Sequence, residues 1–166
     1  MASNLKLNFG YTEVDFKNIV NDSDLREIVS KNYKYGVGLR SGFKDFFNFH
    51  VGIDWSETAI RTPGVSSFAN NTSFLDISFI LSKKFNLEIE SERYFFENLQ
   101  ENNTFHFLDF KATYKLSDNK ISFSLTGKNL FNNLRFRNFS ISDVSTSTRE
   151  YRLLTRFFLL KMEYRF

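Results

Sequence analysis

Three glutamates at every second position, Glu88, Glu90 and Glu92, form a tight run of potential ligands in the chain. A spacing of two puts all three carboxylates on one side of an extended strand, where a row of oxygens can hold a hard cation or answer a row of lysines. Lys111 and Lys115 supply such an answer on another alternating segment, and a charge ladder is the expected use of the glutamates. His50 and His106 fall in opposite phases of their segments, so they point to opposite sides and assemble no His–His metal site. His106 is a candidate base for a Ser-His hydrolase, but no acidic partner stands at a spacing that would orient it. The chain has no cysteine, which excludes disulfides and thiolate metal sites. It contains no Gly-rich phosphate loop and no zinc spacing. These residues imply no catalytic centre, no metal and no cofactor, so the expectation is a protein that is not an enzyme.

The elements that carry these groups are written in a period of two. Phe47, Phe49, Val51, Ile53 and Trp55 alternate with Asn48, His50, Gly52, Asp54 and Ser56; Leu108, Phe110, Ala112, Tyr114 and Leu116 alternate with Asp109, Lys111, Thr113 and Lys115. The same pattern covers eight segments, at about 5–12, 25–40, 45–58, 72–83, 86–97, 104–116, 121–131 and 150–166. Each has one apolar and one polar face. Short turns are expected at 41–44, 82–86 and 117–120, and longer polar loops at 59–73, 97–104 and 132–149. This is the signature of an antiparallel up-and-down barrel with turns at one end and loops at the other. The 117–120 turn pairs Leu116 with Ile121, Tyr114 with Phe123 and Ala112 with Leu125, all on the apolar face, and joining Glu97 to Thr104 sets Glu90 opposite Lys111. A slip of one residue would reverse these faces.

Composition bears on which way the faces point. Of 166 residues, 18% are aromatic and 22 are Phe, yet the mean hydropathy is on the hydrophilic side. A membrane barrel reconciles the two, because only alternate residues meet lipid. Several segments run to roughly a dozen residues or more, longer than the ~5–6 usual in globular sheets and enough for the ~9–11 tilted residues that cross a bilayer. No stretch approaches the ~18 consecutive apolar residues of a membrane helix. The 22 basic and 19 acidic residues are interspersed, so no nucleic-acid surface is expected. Trp55, Tyr94, Phe95 and Phe96 at the loop end, with Tyr164 and Phe166 at the turn end, suggest two aromatic girdles. Phe74, Phe96, Phe107 and Phe157 fall on the polar, interior side. The first residues lack the charged start and apolar core of a secretory leader.

The last segment alternates Phe158, Leu160, Met162, Tyr164 and Phe166 and stops on an aromatic residue. It resembles the C-terminal signal by which the outer-membrane barrel assembly machinery recognises its clients. One long loop earlier stands Asn129-Leu130-Phe131-Asn132, and together with 149–166 it resembles the end of TonB-dependent receptors from Bacteroidota. The resemblance covers about residues 120–166. It implies a barrel of about 22 strands with an N-terminal plug, importing nutrients in the bacterial outer membrane through TonB. Eight strands with no plug make the whole of 1–166 a C-terminal segment of such a barrel, with outer-membrane lipid and the assembly machinery as partners and TonB acting through a missing N-terminal region. No substrate-binding residue carries over. Two other readings stay open: a self-contained eight-stranded outer-membrane barrel with a structural or adhesive role, and a soluble β-barrel carrying a lipid-like ligand.

Overall fold

A computed structural model describes residues 3–19, 25–42, 46–61, 65–116, 120–141 and 146–165. Ten strands account for most of them: β1 Ser3–Asn18, β2 Arg26–Ser41, β3 Phe47–Arg61, β4 Val65–Ile80, β5 Phe85–Phe96, β6 Thr104–Leu116, β7 Ile121–Lys128, β8 Arg135–Ile141, β9 Thr146–Arg152 and β10 Phe157–Tyr164. No helix occurs among the described residues. Eight strands form one antiparallel sheet in the order β1-β2-β3-β4-β5-β6-β7-β10, and β8 and β9 pair as a separate hairpin. Each strand of the sheet up to β7 lies beside its neighbour in sequence, which gives the up-and-down meander expected from the period-two pattern. The sheet is open among the described residues, with β1 and β10 at its two edges.

Alternation divides the sheet into two faces. One carries Leu5, Leu7, Phe9, Tyr35, Val37, Leu39, Val51, Leu75, Leu125, Leu160 and Met162, all exposed; Leu7 is 72%, Phe9 79% and Leu160 70% accessible. Stacking of Tyr35 on Trp55 at 5.6 Å and tilted contact of Phe47 with Phe79 at 5.2 Å run along this face. No second layer covers it among the described residues. The opposite face carries many of the charged and amide side chains; toward the loop end the division relaxes, with Glu13, Lys31 and Arg93 on the apolar side and Ile28, Ile60 and Phe68 on the polar one.

Two glycines mark where the faces need room. An added Cβ at Gly52 would stand 2.6 Å from Cζ of Phe74 and 3.0 Å from the Val37 carbonyl oxygen. The missing side chain lets Phe74 lie across the polar face against His50, with ring centroids 4.7 Å apart. On the apolar face Gly127 does the same for Phe110, whose Cε1 would be 2.4 Å from a Cβ there. An aromatic ring laid over a cross-strand glycine covers backbone that would otherwise lie bare.

Several sequence expectations change. Residues 59–73, expected as a loop, are largely strand: β3 reaches Arg61 and β4 starts at Val65, leaving a three-residue connection at 62–64. Asn, Ser and Thr in that stretch read as loop, but they continue the ladder, as Asn70↔Ser56 and Thr72↔Asp54 show. The 132–149 loop contains β8 and the start of β9, and the final strand begins at Phe157 instead of 150. The expected turns at 41–44 and 117–120 fall largely on residues 43–45 and 117–119, which lie outside the described residues. Leu116↔Ile121, Tyr114↔Phe123 and Ala112↔Leu125 pair as expected. Between β5 and β6 the register is shifted by two: Lys111 faces Glu88, and Glu90 faces Asp109. A shift of two preserves the faces, so the apolar pattern could not detect it.

Trp55 is not at the loop end of β3 but six residues before Arg61, and Tyr94 and Phe96 turn to the polar face, on the side opposite Phe95. Only Phe95 of the expected loop-end girdle both ends its strand and faces the apolar side. Gly52→Ala is expected to push the Phe74 ring off His50 and to cost about 1–3 kcal/mol, the usual range for overpacking. Urea unfolding in detergent measures this, and Phe74→Leu in the same chain should recover part of the loss.

Candidate functional site

The polar face is organised by one row of ladder partners. Asn4 pairs with Arg40, Arg40 with His50, His50 with Asp76, Asp76 with Glu90 and Glu90 with Asp109. Lys128 on β7 completes the row, placing its Nζ 2.7 Å from Asp109 Oδ2 and 3.6 Å from Glu90 Oε2. The belt thus crosses seven strands, running from the neutral Asn4 through Arg40 and His50 and three carboxylates to Lys128. His50 Nδ1 lies 3.2 Å from Asp76 Oδ2, and Lys111 Nζ lies 3.9 Å from Glu88 Oε2 in the adjacent row. Like charges set directly opposite one another on neighbouring strands repel. Lys128 answers the Glu90–Asp109 pair, and His50 engages the carboxylate of Asp76. A groove of about 430 Å³ lies along this belt, lined by Arg40, His50, Asp76, Ser78, Glu88 and Glu90 among others.

The expected glutamate ladder is realised in part: Lys111 meets Glu88, but Lys115 stands opposite Ser122, Glu90 is met by Lys128 instead, and Glu92 accepts from the Tyr94 hydroxyl. The structure does not make the three carboxylates a ligand set: no group of three or more potential metal ligands converges among the described residues. His50 and His106 lie on opposite faces by alternation, and neither is drawn into a catalytic arrangement with a serine.

The Asn129-Leu130-Phe131-Asn132 segment is a clasp. Asn129 and Asn132 adopt left-handed backbone (φ 52° and 58°), a conformation asparagine tolerates better than most residues. The Asn129 N–H donates to Asp109 Oδ1 at 2.8 Å, which ties the clasp to the charged belt. Its side-chain amide donates to the Asn133 and Leu154 carbonyls, both at 2.8 Å, while its Oδ1 accepts from the Asn133 N–H at 2.9 Å. Asn132 Oδ1 accepts from the Arg156 N–H at 3.1 Å, and Asn133 donates to the His106 carbonyl. The amides fasten the end of β7 to the strand that follows the hairpin. Leu130 is half-buried and Phe131 is exposed.

Between the two ends of the clasp the β8–β9 hairpin reaches back onto the loop end of the polar face. Phe136 contacts the rings of Phe105 at 5.0 Å, Tyr94 at 5.4 Å, Phe96 at 5.8 Å and Phe107 at 6.0 Å, and Phe139 meets Phe68 at 6.0 Å. Phe96, Leu99 and Phe105 form the buried centre of this cluster. Phe136 and Phe139 are three apart, hence on opposite faces of β8, and both pack against the cluster. Of the aromatic residues expected on the polar side, Phe96 and Phe107 join this cluster, while Phe157 is exposed on β10. The hairpin rings and the Lys128 bridge escaped sequence reading. Phe136, Phe139 and Ile141 keep no period of two, and 146–152 carries Tyr151 as its one aromatic residue, so neither strand shows the alternation that marks the sheet.

Glu150 on β9 links the hairpin strands. Its carboxylate accepts from Arg137 Nε at 2.7 Å and lies 3.1 Å from Arg135 Nη1. The Arg137 hydrogen bond, followed by the charges of Arg135 and Arg137, holds this carboxyl below the ordinary glutamate value. Of the expected assembly-signal residues, Phe158, Leu160, Met162 and Tyr164 project exposed along the apolar side of the edge strand β10; Phe166 lies outside the described residues.

No family model matches the chain, and no curated protein or solved structure matches it.

Phe136→Ala should release the hairpin. The expected loss is about 2–3 kcal/mol, below the ~3–5 of a fully buried ring because Phe136 is half-buried, and limited proteolysis between 132 and 156 should speed up accordingly. A depressed carboxyl stabilises the fold above its unfolded pKa and loses that contribution as pH falls through the folded value. Glu150→Gln should therefore loosen the hairpin at pH 7, and the difference from the parent chain should persist through the ordinary glutamate range and vanish only in stronger acid. Proteolysis rate against pH reads both.

Proposed function

We propose that the chain forms part of the wall of a bacterial outer-membrane β-barrel, the C-terminal portion of a nutrient transporter of the TonB-dependent-receptor type. The observation that carries the reading is the uncovered apolar face of a long-stranded meander, set back to back with a face of paired charges. Exposed apolar patches beyond a few hundred Å² are rare on monomers in water. In a bilayer the same face meets acyl chains, and the charged belt looks into the enclosed space. The resemblance of 129–132 and 149–166 to the end of receptor barrels supports the family, and the exposed aromatic row of β10 supports recognition by the assembly machinery. Coupling to TonB would act through a region outside this chain.

The two edges favour a wall section over a closed barrel of eight strands. β1 offers 16 residues to a neighbour, whereas β10 offers eight. If these two paired, about half of β1 would keep bare N–H and C=O groups in hydrocarbon, at several kcal/mol per group by rough estimate. Strands of matching length on both sides remove that cost. A soluble carrier is disfavoured because it requires the apolar face to turn inward against a covering layer.

The single tryptophan tests the reading directly. Trp55 lies on the apolar face beside Tyr35. In lipid vesicles its fluorescence should be quenched strongly by acyl chains carrying bromine and little by aqueous iodide. A chain that stays folded and monodisperse without detergent, with Trp55 open to iodide, would overturn the membrane assignment.

A further inference from the structure

We propose that the base of the β8–β9 hairpin is a binding site for a phosphate-bearing anion, gripped by Arg135 and Arg152. These two arginines are direct cross-strand partners. Like charges placed so oppose the pairing of the strands that carry them. The described hairpin residues contain four arginines, Arg135, Arg137, Arg149 and Arg152, and a single acid, Glu150. Glu150 is shared by Arg137 and Arg135, which leaves Arg152 and Arg149 without an acidic partner among the described residues. The two hairpin strands thus carry four cations against one carboxylate.

The backbone beneath these arginines is held in place. The ring cluster around Phe136 fixes β8, the Leu153 N–H donates to the Leu134 carbonyl at 3.0 Å to close the hairpin base, and the Asn132–Arg156 hydrogen bond fixes the exit. The Arg135 side chain remains 66% exposed. Two arginines directly opposite on paired strands can both offer guanidinium donors to the tetrahedral oxygens of a phosphate, which accept paired N–H donors in a way that a point charge does not enforce, with Arg135 sharing its donors between Glu150 and the anion. A bound phosphate would also neutralise the repulsion between the two strands. The site rests on the hairpin alone and does not depend on the membrane reading.

The test uses the full chain in an uncharged detergent, titrated with inorganic pyrophosphate, and in a parallel arm mixed with phosphatidylcholine vesicles with and without phosphatidic acid. The parent chain is expected to bind at least one phosphate source. Arg135→Gln with Arg152→Gln should weaken that binding about tenfold or more, the scale of losing charged hydrogen bonds. Arg135→Lys with Arg152→Lys, which preserves charge and the hairpin, should fall between the two. Binding to pyrophosphate alone assigns a soluble phosphate, to phosphatidic acid vesicles alone a headgroup, and to both the phosphate group itself. Absence of binding in both arms, or equal binding by the parent and the lysine and glutamine variants, would overturn the proposal.

Discussion

The rest of the structure depends on a sheet that over most of its area is greasy on one side and ionic on the other. A strand that slipped by one residue would drive its charges into the apolar face and its Phe and Leu into the polar one. Seven strand pairings keep the phase over most of their length, which fixes the sheet as a two-faced wall. The apolar face is uncovered among the described residues. That exposure underlies the membrane reading and distinguishes this sheet from a domain that buries its own core.

The polar face is held by a different economy of contacts. The charged belt from Arg40 to Lys128 joins strands far apart in sequence, and its three central carboxylates sit opposite one another on adjacent strands. Their arrangement is workable because Lys128 enters from β7 and touches two of them at once. Asp109 in turn accepts from the backbone of Asn129, so the belt and the asparagine clasp share a residue. The clasp then sets where the hairpin leaves and where β10 begins. Charge pairing, loop geometry and docking of the aromatic hairpin form one connected unit at the loop end of the polar face.

The wall reading and the phosphate site stand on separate observations. The first concerns a face with no cover and two edges of unequal length. The second concerns two opposed arginines on a hairpin fixed by rings and amides. A barrel wall whose loop-end hairpin carries surplus positive charge would present that charge beside the enclosed space, where low-dielectric surroundings strengthen its attraction for anions. The belt below it carries both signs, with three carboxylates between Arg40 and Lys128.

By itself the sequence determined the all-β class, the antiparallel meander of eight sheet strands, the two faces and the side on which His50, His106 and the glutamate row lie. These follow from a period of two, which is local and survives any even shift. The tertiary structure alone decided the two-residue register between β5 and β6, and with it that Glu90 meets Asp109 and requires Lys128. It also decided that Asn- and Ser-rich stretches near 59–73 are strand, because ladder hydrogen bonds from neighbours override weak local propensity. The hairpin within 132–149 and its ring contacts were equally beyond reach. Phe136 finds Tyr94, Phe96, Phe105 and Phe107 only once the sheet has brought β5 and β6 together, and no spacing along the chain records that meeting.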